Sequence, residues 1–150
     1  MKMLVGAVGA IAVTALCHAA WSEPYDDYTP RKGAWQITEV HVDPNHIDDY
    51  LTGLRSGWVP GQEIAKKHGV IDDYYVMVRL DAGGTGANVL LGTHYTSLAV
   101  LEPDKARDKQ IEKESYEAVP KAKSDAQVAG YDKYRTFVGD GLYQVIDFAK

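Results

Sequence analysis

Hydrophobic residues recur along this chain with two periods, and the switches between them mark its elements. Ile47, Tyr50, Leu51, Leu54 and Trp58 fall at the spacing of one helix face. Asp43-Pro44 precedes them as an N-cap and a first-turn proline. Gly57 and Pro60 are expected to bend or break this helix, with Gln62 to Lys67 continuing as a second piece and Gly69 stopping it. From Val70 to Leu80 the period falls to two: Tyr74, Val76, Val78 and Leu80 face one way, Tyr75, Met77 and Arg79 the other. The segment from Ala34 to Val42 changes phase, with Trp35 and Ile37 on one face and Val40 and Val42 on the other. A strand buried on both sides has that pattern, and so does a bulged one.

The remaining elements follow from turn and cap signals. The glycine-rich stretch from Asp81 to Gly86 predicts a hairpin turn, and Asn88 to about Ser97 the returning strand. Glu102-Pro103-Asp104 opens a charged helix that stops or kinks at Pro120. Its thin stripe of Ala106, Ile111 and Ala118 predicts a surface position. A further helical piece is expected over Asp125 to Tyr134, and Gly139-Asp140-Gly141 as a turn into a final strand, Leu142 to Phe148.

The order is β-α-β-β-α-β. It predicts an α+β, ferredoxin-like domain over residues 34–150: a four-stranded antiparallel sheet with its helices on one face. The chain resembles the dimeric α+β barrel superfamily from about Trp35 to Phe148. The resemblance rests on that order, on Tyr50-Leu51, Trp58-Val59-Pro60, Glu63 and Lys67-His68-Gly69 in the first helix, and on Phe137-Val138-Gly139 with Tyr143-Gln144-Val145-Ile146 near the end. It implies a homodimer whose sheets pack face to face, leaving a cavity between the helix-free faces. Some members of the superfamily bind haem, but no local motif here supports it, and no cofactor is expected.

The N-terminus changes the picture of where the protein works. Lys2, the apolar run from Leu4 to Leu16, and the small residues around Cys17 to Ala20 have the three parts of a secretory signal peptide, 1–19, cut after Ala19. The run is shorter than a membrane-spanning helix needs, so no membrane span is expected. The product is expected to be periplasmic or secreted, with lipidation at Cys17 as the alternative, although Leu16 is large for a lipoprotein signal. Residues 20–33 lack periodicity, contain Pro24 and Pro30, and read as a linker or loose arm. Cleavage removes the only cysteine, excluding disulfides and thiol chemistry from the mature domain. It also makes the formal charge of −5 one unit more negative, and with no basic block longer than Lys66-Lys67 nucleic acid is not a natural partner.

Candidate chemistry lies on the sheet. Alternation groups Trp35, Ile37, Glu39 and His41 on one strand face and Tyr75, Met77 and Arg79 on the next. His94 joins them if its strand is phased that way. Glu39, His41, Tyr75, Arg79 and His94 are therefore the candidate ligand-binding residues. A histidine beside a carboxylate moves protons, and an arginine holds a carboxylate or enolate. The same residues also suit a wet sheet face or a dimer interface. No histidine pair has the helical spacing of a zinc site, and no metal is expected. Ser56-Gly57 has no nucleophile-elbow context, the 81–86 loop lacks the lysine of a phosphate loop, and Trp58 completes the apolar helix stripe. The reading is an exported small-ligand-binding or structural envelope protein. The alternative is a cofactor-poor oxygenase or isomerase acting on a small aromatic or lactone-like substrate, with His41 or His94 as base.

Overall fold

The structure is a computed structural model that describes residues 23–81, 84 and 86–150. The expected signal peptide and Cys17 lie outside the described residues. Its strands are β1 (Tyr28–Pro30), β2 (Ala34–Val42), β3 (Ile71–Val78), β4 (Val89–Tyr95), β5 (Arg135–Tyr143) and β6 (Ile146–Phe148). Its helices are α1 (Ile47–Lys67), α2 (Lys105–Ala118) and α3 (Lys121–Tyr131). Four strands form one antiparallel sheet in the order β3-β4-β2-β5, which puts β2 and β4 at its centre. The fold is α+β.

Alternation in the central strands decides what faces what. Val40 and Val42 of β2 and Val89 and Leu91 of β4 point to one side. There they meet Tyr50 and Leu54 of α1 and Tyr131 of α3 in the buried core. Each such apolar side chain contributes about 1.5–3 kcal/mol when fully removed from water. Trp58 packs against this core and stands edge-on to Tyr74, ring centres 5.5 Å apart, so it belongs to the helix–sheet contact. The other β2 phase, Trp35, Ile37, Glu39 and His41, turns to the opposite side of the sheet.

Several boundaries differ from the sequence expectation. Asp43 caps a single 3-10 turn, Pro44–His46, by accepting from the Asn45 amide at 2.9 Å, and α1 begins only after it. α1 then runs unbroken through Pro60. The proline removes one amide donor, but Leu54 and Trp58 before it pack on the core and Gln62 and Glu63 after it accept hydrogen bonds from Thr93 and Tyr74 of the sheet, and that outweighs the loss. α2 is capped by Asp104, whose side chain accepts from the amides of Ala106 and Arg107. It packs along α1 and buries none of its own residues.

Gly139-Asp140-Gly141 is not a turn. It lies inside β5, with Gly139 opposite Glu39 and Gly141 opposite Ile37. Neither glycine has positive φ. A side chain covers one of them: a Cβ on Gly141 would stand 2.8 Å from the Tyr143 ring, whereas one on Gly139 would make only an ordinary contact, 3.4 Å from the Glu39 carboxyl carbon. The bulge suspected in β2 falls on β5, where the register slips between Glu39 and Val40 and leaves Val138 unpaired. The expected last strand is also divided. Its end, β6, leaves the main sheet and pairs with β1 in a two-stranded ribbon. Residues 28–30, read as part of a loose arm, are therefore hydrogen-bonded, and Arg31 clasps Asp147 through two bonds of 2.7 Å. Among the described residues no helix is long and apolar enough to cross a membrane.

Candidate functional site

On the sheet face turned away from α1 and α3, register places the side chains row by row. Trp35 lies between His94 of β4 and Tyr143 of β5, Ile37 between Gly92 and Gly141, and Glu39 between Leu90 and Gly139. β3 adds Tyr75 beside Gly92 and Met77 beside Leu90. His94 therefore belongs to this face, in phase with Trp35.

The aromatic residues condense into one cluster. Trp35 is 5.0 Å from the Tyr75 ring and 4.9 Å from the His94 ring, tilted to both. Tyr75 can lie there only because Gly92 has no side chain: a Cβ would come within 2.6 Å of the ring. Burial pushes the Tyr75 phenol up, so it stays protonated at neutral pH. His94 Nδ1 is 2.5 Å from Asp72 Oδ1. Asp72 occupies the extra position of a β3 bulge, between Ile71 and Asp73, which swings its carboxylate onto this face. Arg31, Lys32, Trp35, Asp72, Asp73, His94 and Val145 line an open cleft of about 420 Å³.

The other three candidates lie elsewhere. His41 is six residues along β2 from Trp35, about 20 Å at strand rise. Its Nδ1 pairs with the Gly86 carbonyl at 2.8 Å. Arg79 bonds Asp81 at 2.7 Å and holds that carboxyl below the usual carboxylate range. Both line a smaller pocket of about 250 Å³ at the sheet end, walled by Pro44, Ile47, Val78 and Asn88. Glu39 lies along Gly139 between the two ends. The structure thus brings Tyr75 and His94 into one cluster and keeps Glu39, His41 and Arg79 out of it.

Chemically, the cluster offers a stacking surface and one imidazole–carboxylate pair. The far edge of the His94 ring faces the Gly33 turn, where φ is +77° and a Cβ would stand 2.9 Å from Nε2. A proton-transferring nitrogen needs an approach for substrate, and this one is lined by backbone. Among the described residues no third histidine, cysteine or acidic group joins Asp72 and His94 to make a metal-binding group. Sequence reasoning had no signal for Asp72, because the alternation of its strand shows no change of phase and the bulge falls at the strand's start. Trp35 was legible on the correct face but without its two ring partners. No protein-family model matches the chain, and no curated protein matches it significantly.

Proposed function

We propose that this chain is an exported, non-enzymatic small-ligand-binding protein that works as a homodimer of ferredoxin-like domains, paired through their sheets in the manner of a dimeric α+β barrel. One observation carries the reading. Among the described residues no helix covers the sheet face that bears Trp35, Ile37, Tyr75, Met77, Leu90 and Tyr143, with Met77 and Tyr143 about half exposed. An apolar surface of that kind suits burial against a partner. A second copy supplies the same surface by symmetry. The order β3-β4-β2-β5 is the one a ferredoxin-like sheet has and supports the same reading. Between two such faces the Trp35–Tyr75–His94 cluster would border the ligand cavity. The resemblance of residues 1–19 to a secretory signal supports a mature protein that works in the periplasm or outside the cell.

The His94–Asp72 pair favours a second reading, an oxygenase or isomerase that uses His94 as base. The Gly33 backbone beside Nε2 and the openness of the cleft weigh against it. Native mass spectrometry of protein purified gently from its own envelope fraction tests the proposal. A mature chain starting at Ala20, running as a dimer with a reproducible added mass, is expected. A bare monomer would overturn both the dimer and its cavity.

A further inference from the structure

Another cavity, of about 340 Å³, lies on the opposite side of the sheet, between α1, α3 and the sheet residues Thr38, Leu91, Arg135 and Phe137. Its walls are largely apolar: Leu54 and Trp58 from α1, Val128 from α3, Leu91 and Phe137 from the sheet. Phe137 and Val128 are half exposed at its margin and leave a route in from solvent. The volume is within the range of small-molecule sites.

Arg135, the first residue of β5, is the one cation in that wall. Its guanidinium carbon stands 4.6 Å over the Tyr131 ring, 4.7 Å from the Phe137 ring and 5.7 Å from the Tyr50 ring. Three ring faces fix the side chain, and a ring face is no acceptor for its in-plane N–H bonds. Its single hydrogen bond is a long one, 3.5 Å to the Tyr50 hydroxyl, and Nε is buried without a partner. Among the described residues no carboxylate pairs with Arg135, although ion pairs are common elsewhere on the surface. Buried guanidinium donors are ordinarily satisfied, and the planar fork of arginine matches a carboxylate. Gln127 is already committed, donating to the Gly53 carbonyl and the Tyr131 hydroxyl, so it does not compete for an anion. Asp140, the nearest acid on the same face of β5, is five residues away and is held by Thr38 and Gln36.

We propose that this cavity binds a small organic carboxylate with an aromatic or alkyl body, its carboxylate held by Arg135 and its body lying against Leu54, Trp58 and Leu91. The site is independent of the sheet-to-sheet dimer, because it opens on the other side of the sheet.

The test uses the mature protein with phenylacetate and hexanoate as probes and 2-phenylethanol as the uncharged control. Binding is followed by calorimetry and by the side-chain Nε–H resonance of Arg135. Saturable binding of at least one carboxylate is expected, with a shift of that resonance and a preference of about tenfold or more over the alcohol. Arg135→Met should abolish the preference, while Arg135→Lys, which keeps the charge and loses the fork, should retain part of it. Equal binding of acid and alcohol would overturn the proposal, as would no binding of either acid or an unmoved Arg135 resonance. Should Arg135→Met fail to fold, the wild-type resonance and the acid-to-alcohol ratio still decide.

Discussion

The Tyr131 ring closes directly over Gly53: a Cβ on that glycine would lie 2.7 Å from ring atoms Cε1 and Cζ. Tyr131 is buried, bonded through its hydroxyl to Gln127 at 2.7 Å, and packed edge-on against Tyr50 at 5.0 Å. It has little room to retreat. Helix propensity alone favours alanine over glycine by about 1 kcal/mol, but overpacking of a filled core costs about 1–3 kcal/mol. Gly53→Ala should therefore destabilise the protein. Gly61→Ala, in the same helix with nothing within 4 Å of the new Cβ, should stabilise it by about 0.5–1 kcal/mol. Urea unfolding of the two variants gives opposite signs if Tyr131 is seated as described.

Substitutions on the uncovered sheet face should act on assembly more than on folding. Met77 and Tyr143 are half exposed at opposite edges of that face. Met77→Asp and Tyr143→Asp should shift a dimer to monomer in light scattering, with monomer stability changed by roughly 0.5 kcal/mol. Leu101→Asp, equally exposed but off the sheet, should leave the mass unchanged. A dimer that survives both sheet variants would place its interface elsewhere.

Glu114 should stiffen the α1–α2 contact only above acidic pH. Gln110, Lys67 and His68 hold its carboxyl down to about 2, from an ordinary 4.5. Lys67 Nζ and His68 Nε2 lie 3.0 and 3.2 Å from the same oxygen, and Glu63 and Glu117 border the site. A depressed carboxyl pKa contributes stability that is present above the unfolded value and lost as pH falls through the folded one. Wild type should melt higher than Glu114→Gln at about pH 6, and the gap should close between about pH 4.5 and 2. A gap constant over that window would mean that the ion pairs do not form in solution.

The Arg31–Asp147 clasp should govern the ribbon rather than the domain. Both side chains are largely exposed, so its loss should barely move the melting temperature. It does hold β1 on β6, where Arg31 N donates to the Val145 carbonyl and Ala149 N to the Asp27 carbonyl. In Asp147→Ala the Arg31 and Ala149 amides should exchange with solvent severalfold faster, while those of Val40 and Leu91 keep their protection. Unchanged exchange at Arg31 would show that backbone pairing alone holds the ribbon.

The candidate site was legible in its parts but not in its assembly. Alternation grouped Trp35, Glu39 and His41 on one strand face and Tyr75 and Arg79 on the next, because a strand's period of two is a local property. It left the facing of His94 open until pairing set it beside Trp35. It could not say that His94 and His41 occupy opposite ends of one sheet face, since convergence depends on which residues pair across strands. Nor did any signal mark Asp72, whose orientation comes from a bulge, or Arg135, whose three rings arrive from α1, α3 and β5.

By itself the sequence determined what rests on neighbours in the chain: the α1 stripe, the Asp104 cap, the β3–β4 hairpin and the inward phase of Val40 and Val42. Only the tertiary structure decided what rests on distant ones. Gly139 and Gly141 have turn chemistry but sit in a strand, because they pair with Glu39 and Ile37 of β2, and the Tyr143 ring takes the space a Cβ on Gly141 would need. Pro60 is carried inside α1 by core packing before it and by the hydrogen bonds of Gln62 and Glu63 to the sheet after it. Tyr28–Pro30 becomes a strand only because Ile146–Phe148 lies beside it at the far end of the chain. Local periodicity is written in a few consecutive residues. Register, burial and the company of a charged group are set when segments far apart in the chain meet.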